Sequence, residues 1–389
     1  MIARNLTARI ELLSDVHIGT GTELVRDFDW IAPGDGFVYI SHSDRLMEEV
    51  FRRAEADGRE MREVAKTLAG STLTSLYREL KWLTQDDFTA DSPLFRYRLR
   101  GSPATANIRE QIKDVFGRPY LPGSSLKGAL RTALAVAAAE ELKPDLTKLE
   151  YSRSWAARPV EGRLFGRDPN HDLLRALQVG DSQPVDSAHL VLKRAHIYPT
   201  ATSTYRGQSR GLDVDVEALG KGTVIELPIH VPTELLVDRG TPFDRRRHAE
   251  LSDWESRVPW LERLARTGKK QSIALLTEEA NFFRDRDKAE VAEAQQFLGR
   301  LVQQFQKLGP NEFYLVLGWG GGWHTKTLNQ VLKRDPKLLA DLVSRYRMNR
   351  TGTLKPGAPF PKSRHLLRNR LGQAGPPLGW IKVTLQSAA

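Results

Sequence analysis

The chain has 389 residues, 40% of them apolar, and a formal net charge of +10 at neutral pH. That length and apolar content exclude a disordered segment and a single minimal domain, and they favour two compact domains. Cysteine is absent, which excludes disulfides, thiolate metal sites and a cysteine nucleophile. No run of about 18 apolar residues occurs, so a cytoplasmic protein with no membrane partner is expected.

The position of the charge says more than its total. Between positions 323 and 385 lie 13 Lys/Arg and two acids, a net of +11, while the rest of the chain carries −1. This end is therefore expected to hold an anionic partner, the phosphates of a nucleic acid. A solvated basic face is the plain alternative.

Leu6, Ala8, Ile10 and Leu12 alternate with Thr7, Arg9 and Glu11, the period of a half-buried strand. The strand runs into Asp15-Val16-His17-Ile18-Gly19-Thr20-Gly21-Thr22, a glycine-punctuated loop. A strand over 37–40 follows, then a helix from Ser43 with Leu46, Met47, Val50, Phe51 and Ala54 on one face. Residues 56–105 are polar without a clear period and read as an insertion. The turn over 119–125 delivers a serine N-cap to a helix over 125–142, with Leu126, Leu130, Ala133, Leu134 and Ala137 as its apolar stripe. Residues 143–175 read as loop, and strands over 176–180 and 188–197 close the first half. The second half reads as a strand over 222–231, helices over 244–266 and 286–308, and a strand over 312–317. Helices over 325–333 and 336–347, a Pro/Gly loop over 351–363 and a last strand over 379–385 complete it. The mixture predicts an α+β protein of two ferredoxin-like (RRM-like) units with insertions, 1–215 and 216–389.

Two loops carry chemistry. Leu121-Pro122-Gly123-Ser124-Ser125-Leu126-Lys127-Gly128-Ala129-Leu130-Arg131 places a glycine turn and two hydroxyls at a helix N-terminus, where free N–H groups favour an anion. Lys127 and Arg131, four apart, share a face off the apolar stripe. The segment lacks the spacing of a Walker A loop, and no hydroxyl follows Lys127 to hold Mg²⁺. A capped core helix with a solvated Lys/Arg pair is the alternative. The second loop holds Gly318, Trp319, Gly320, Gly321, Gly322, Trp323, His324 and Lys326. Its glycines let backbone approach a ligand closely, and its tryptophans suit stacking on single-stranded RNA bases. A tight turn with core tryptophans is the alternative. Lys362, Arg364, Arg368 and Arg370 extend the basic surface.

The Pro-Gly-Ser-Ser-Leu-Lys-Gly-Ala-Leu-Arg segment resembles the signature of the CRISPR RAMP superfamily. The loop Val16-His17-Ile18-Gly19-Thr20-Gly21 does too, with Leu164-Phe165-Gly166 and Val179-Gly180-Asp181-Ser182 as companions. The later Leu-Gly-Trp-Gly-Gly-Gly-Trp-His-Thr-Lys-Thr segment, with Pro-Lys-Ser-Arg after it, is similar to the Csm-complex subunit family numbered five. The resemblance implies a subunit of a type III-A CRISPR effector that caps the 3′ end of the guide RNA (crRNA) and packs on the backbone RAMP subunit. It implies a part in crRNA maturation and complex assembly in antiviral defence, with target RNA and host maturation nucleases as secondary candidate partners.

RAMP relatives include RNases, so cleavage is the second reading: a metal-independent endoribonuclease processing the guide. It would need histidine as acid or base, and His17 and His324 are the candidates. No metal-ligand spacing occurs, no cofactor is implied, and no catalytic role passes to Asp27 or Asp29. The residues expected to bind RNA are His17, Gly19 and Gly21; Gly123, Ser124, Ser125, Lys127 and Arg131; Gly318, Trp319, Gly320, Gly321, Gly322, Trp323, His324 and Lys326; and Lys362 and Arg364. A scaffold without RNA contact is the third reading, and the charge bias of the C-terminal end argues against it.

Overall fold

The computed structural model describes residues 5–387 apart from 167, 170–171, 199–203, 206–207, 210–211, 233–258, 285, 287, 327 and 370. In chain order the first half gives β1 (Asn5–Leu12), β2 (Gly19–Val25), β3 (Trp30–Ile31), β4 (Phe37–Ser41), α1 (Ser43–Ala56), α2 (Met61–Ala69), α3 (Leu73–Arg78), β5 (Phe95–Arg100), β6 (Asn107–Gln111), α4 (Gly123–Leu142), α5 (Arg158–Leu164), β7 (Gln178–Val179) and β8 (Leu190–Tyr198). A small ladder of β9 (Thr204–Tyr205) and β10 (Gln208–Ser209) precedes β11 (Leu212–Leu219) and β12 (Val224–His230). The rest comprises α6 (Leu264–Arg284), α7 (Lys288–Phe305), β13 (Glu312–Val316), α8 (Asn329–Leu332), α9 (Pro336–Arg345), β14 (Arg364–Arg368), β15 (Ala374–Pro377) and β16 (Trp380–Ser387).

Two large sheets dominate. The first is antiparallel with order β13-β16-β1-β12-β7, and the second has order β15-β14-β8-β11-β6-β2 with one parallel pair, β6 and β11. The α+β class is as the sequence implies. Strands from both sides of position 215 enter both sheets, and β11 runs across that position. The alternation read in β1 holds: Ala8, Ile10 and Leu12 are buried with Ile225, Leu227 and Ile229 of β12 and Ile381 and Val383 of β16. Helix α4 lays Leu126, Leu130, Leu134 and Ala138 on that face, each large aliphatic contributing about 1.5–3 kcal/mol on burial. A second core joins Leu275 and Phe283 of α6 and Phe297, Leu298 and Leu301 of α7 to Tyr314, Trp380 and Leu366.

The stretch 56–105 is more ordered than expected, and its unit begins earlier, near Trp30. β3, β4 and β5 form a three-stranded sheet. One face is covered by α1, α2 and α3 through Leu46, Val50, Val64 and Leu76. The other buries Trp30, Val38, Ile40, Tyr97 and Leu99 against Leu24, Ile108 and Leu190 of the second large sheet. The helix expected over 244–266 falls largely outside the described residues. Helices α5 and α6, and strands β2, β6, β11, β14 and β15, depart from the expected elements.

Candidate nucleic-acid interface

Helix α4 starts at Gly123, two residues before the expected serine, with Pro122 as N-cap and no side-chain cap. The reason is the neighbouring strand end. A Cβ on Gly123 would stand 2.2 Å from the Val179 carbonyl oxygen and 2.5 Å from that of Gly180, so only glycine lets the helix start there. The Gly123 N–H donates to Asp181 Oδ1 at 2.7 Å, and the Leu121 N–H donates to Ser182 Oγ at 2.9 Å. The Val179-Gly180-Asp181-Ser182 segment is thus the seat of the first loop, and its own carboxylate takes one of the helix's free N–H groups. Ser124 is exposed and Ser125 half-buried.

Arg131 and Lys127 are less free than their spacing suggested. Arg131 Nη1 lies 2.6 Å from Asp172 Oδ2 and its Nη2 lies 3.6 Å from Glu161. Its guanidinium also covers the Phe165 ring at 4.4 Å, which gives Leu164-Phe165-Gly166 its physical role. Lys127 is half-buried, and that burial lowers its pKa while Asp172 opposes the shift. Arg131→Glu would set a third carboxylate against Asp172 and Glu161. We expect it to cost stability before binding, by about 1 kcal/mol because the pair is partly exposed, as read by melting beside RNA affinity.

The second loop docks on the protein itself. Gly318 (φ +71°) and Gly322 (φ +62°) occupy the left-handed region, and two 3₁₀ turns, Trp319–Gly321 and Trp323–Thr325, follow them. A Cβ on Gly318 would meet the His17 carbonyl oxygen at 2.1 Å, and one on Gly320 would meet Leu378 Cβ at 2.4 Å. A Cβ on Gly321 would meet Thr325 Oγ1 at 2.3 Å. These glycines admit close approach, as expected, but to the chain's own backbone and side chains. The Trp319 N–H donates to the His17 carbonyl at 2.9 Å, tying the two glycine loops together.

The tryptophans are half-buried packing residues. The Trp319 ring lies 4.1 Å from the His365 ring and has the Arg109 guanidinium at 4.7 Å. Trp323 meets Phe360 edge-on at 4.9 Å, within a cluster containing Leu339 and Val343. Neither offers two open faces to bases. His17 is 2% exposed and its Nδ1 lies 2.7 Å from the Glu217 carbonyl. Burial lowers its pKa to about 4, so it is neutral at physiological pH. Gly19 and Gly21 are exposed on edge strand β2. Asp29 serves its own turn, accepting the Val25 N–H, and Asp27 accepts from the Thr74 hydroxyl on α3.

Arg364, expected to face phosphate, is buried. Its Nε lies 2.6 Å from Glu279 Oε1, and His324 Nε2 approaches the same oxygen at 3.0 Å. Burial opposes charge on Glu279, but the Arg364 guanidinium and His324 hold its carboxyl down to about 2. The guanidinium also lies 4.0 Å over the Phe282 ring. Lys326 and Lys362 are exposed, and Arg370 lies outside the described residues.

What the structure does bring together is a cavity of about 700 Å³ that both signature loops line. Ser124, Ser125 and Arg131 stand on one side and Gly318, Trp323 and Lys326 on another. Its floor is apolar, with Leu164 and Phe165 near α5 and Leu339 and Leu342 on α9. His17, Gly19, Gly21, Lys127, Lys362 and Arg364 do not line it. Among the described residues no carboxylate or histidine cluster could hold a metal ion, and no helix is long and apolar enough to cross a membrane.

A continuous fold seated on these loops defines a recognisable class. Residues 9–324 match the model of the RAMP superfamily, and the chain belongs to that superfamily. Within it, the chain is a homologue of Csm5. It is 23% identical, over an alignment of 411 positions with gaps, to the CRISPR system Cms protein Csm5 of Methanocaldococcus jannaschii, covering 99% of this chain and 90% of that one. It is 31% identical over 137 residues to the Csm5 of Streptococcus thermophilus, an alignment spanning 34% of this chain and 36% of that protein. Among solved structures it resembles a chain of the Csm–crRNA–target RNA ternary complex of a type III-A CRISPR–Cas system, with TM-score 0.71 and 22% identity. That match covers 98% of this chain and 100% of the other. It also resembles the crystal structure of T. onnurineus Csm5, with TM-score 0.56 and 24% identity over 96% and 99% of the two chains.

Proposed function

We propose that this protein is a subunit of a type III-A CRISPR Csm complex that binds and caps the 3′ region of the crRNA without cleaving it. In this reading it packs on the backbone RAMP subunit and supports crRNA maturation, with maturation nucleases acting beside it and target RNA passing nearby. The observation that carries the reading is the full-length likeness to Csm5, coincident with two signature loops lining one cavity. The exposed Ser124 and Lys326 offer contacts to RNA there.

The non-catalytic half of the proposal has support of its own. A general base must come within hydrogen-bond reach of the proton it takes. His17 is enclosed and bonded to a backbone carbonyl, and His324 is enclosed against Glu279. No observation favours the endoribonuclease reading.

Assembly of the labelled subunit with its complex and sequencing of the RNA that copurifies tests the proposal. Recovery of crRNA protected at its 3′ end is expected, and labelled precursor RNA should stay intact with and without EDTA. A complex that forms with crRNA while excluding this subunit would refute it, as would cleavage by the subunit alone. Binding should also depend strongly on salt. For about six phosphate contacts, affinity falls on the order of 10³-fold between 50 and 200 mM salt, and a flat response in a titration would contradict phosphate contact.

A further inference from the structure

The connection from α4 to α5 carries two aromatic side chains that the core does not use. Tyr151 is 91% exposed and Trp155 is 61% exposed. They sit on a built platform. The Tyr346 hydroxyl donates to the Glu150 carbonyl at 2.6 Å, and Arg345 Nη2 donates to the Leu149 carbonyl at 3.5 Å. Each ring is held by a guanidinium: Arg345 lies 4.8 Å from the centre of Tyr151, and Arg158 lies 5.6 Å from that of Trp155. Neither arginine, nor Arg153 between them, has a carboxylate within ion-pair range among the described residues.

The same segment opens on the cavity. Leu149, Arg153, Ser154, Ala156 and Ala157 line it, as do Ser125 and Lys326. A volume of about 700 Å³ is within the ordinary range of roughly 300–1,000 Å³ for a small organic ligand. Exposed aromatics alternating with unpaired guanidiniums suit single-stranded RNA. Each base has a flat face to stack, and each phosphate a charge to meet. Of the exposed carboxylates in and beside this connection, Asp145 is already beside Lys148 and Glu161 beside Arg131, which leaves Glu150.

We infer that Tyr151 and Trp155 form a stacking platform for unpaired bases of a single-stranded RNA end, with Arg153 and Arg158 on its phosphates and the adjoining cavity receiving a base. This rests on the reading of the chain as an RNA-binding subunit and adds the place and the contact chemistry. It also accounts for a cavity whose floor is apolar, since a base, unlike a phosphate, can be buried there.

The test uses the full-length protein and a fluorescent single-stranded RNA, intact or with abasic 3′-terminal positions. Tyr151→Ala/Trp155→Ala is expected to weaken binding of intact RNA by about tenfold or more, as loss of stacked bases requires. The melting temperature should be unchanged because both rings are exposed. Wild type should lose a similar factor on the abasic RNA, whereas the double variant should not distinguish the two RNAs. Tyr151→Phe/Trp155→Phe should bind like wild type. Unaltered RNA binding by the alanine variant overturns the platform but leaves the RNA-binding reading standing. Unaltered RNA binding with lost incorporation into the complex overturns it too, marking a protein-docking patch. Failure of wild type to hold RNA, alone or assembled, overturns both.

Discussion

Gly318→Val is expected to cost about 3 kcal/mol or more of stability, a loss large enough to show as a collapse of soluble yield. Two effects add at this position. The residue has φ +71°, where an L side chain costs about 1–2 kcal/mol. Its Cβ would also lie 2.1 Å from the His17 carbonyl oxygen. That atom is backbone and already accepts the Trp319 N–H, so relief requires parting the two loops, on the order of another 1–3 kcal/mol. Gly320→Val tests the same docking from the other side, because its Cβ would meet the backbone and Cβ of Leu378. Gly21→Ala is the control. It shares positive φ at +95° but has no atom within 4 Å of a Cβ, so only the conformational cost of about 1–2 kcal/mol applies. Urea unfolding of the three variants decides the matter. Gly318→Val unfolding like wild type would mean that the loop is not docked on His17.

Periodicity exposed those elements whose inward face is wholly apolar. β1 and α4 show it, and α7 was found within a few residues because Phe297, Leu298 and Leu301 repeat at helical spacing. Helix α6 escaped notice because its buried face carries Gly268, Gln271, Ser272 and Glu279 among the leucines. Each of these polar groups has an internal reason. Ser272 Oγ, for one, donates to the Gly268 carbonyl and accepts the Tyr314 N–H at 2.8 Å. β15 contains two prolines, which a sheet edge tolerates, and it is the outer strand of its sheet.

The charge bias was legible, and the fold redraws it only in part. Some cations of the basic C-terminal stretch are braced in space by acids from elsewhere in the chain. Lys333 meets Glu278, Arg334 meets Glu140, Arg368 meets Asp213 and Lys382 meets Glu11. Lys326, Lys337, Arg345, Arg347, Arg350, Lys355 and Lys362 of the same stretch are exposed with no carboxylate in ion-pair range among the described residues, and Arg345 among them is the cation beside Tyr151. Residues of the two signature loops line one cavity. Which of their atoms face solvent was not readable, because His17, Leu378 and Val179, which press on the glycines, are distant in sequence.

Arg364→Met should be the most damaging single change of a charged residue in the C-terminal segment, costing about 3–5 kcal/mol, because it leaves the Glu279 carboxylate buried without its strong partner. Glu279 is 2% exposed and Arg364 is 4% exposed, so water cannot replace the lost guanidinium. The pH dependence carries a definite sign. In the native protein the Glu279 carboxyl is held down to about 2, against an ordinary value of 4.5. Its stabilising contribution is therefore complete above about pH 4.5 and is lost as the pH falls through 2. In Arg364→Met the carboxyl should rise, since His324 alone remains beside it. The gap between variant and wild type should then be widest near neutrality and narrow as acid protonates Glu279. Arg364→Met/Glu279→Leu should recover most of the loss, since a buried ion pair exchanged for apolar groups of similar volume is often neutral or stabilising. Denaturant titrations of the three proteins at pH 7 and pH 4 separate this account from the earlier expectation of a phosphate contact. A residue holding RNA from the surface would lose affinity with stability intact, whereas Arg364 is expected to lose stability first, in a pH-dependent way that only a buried carboxylate partner produces.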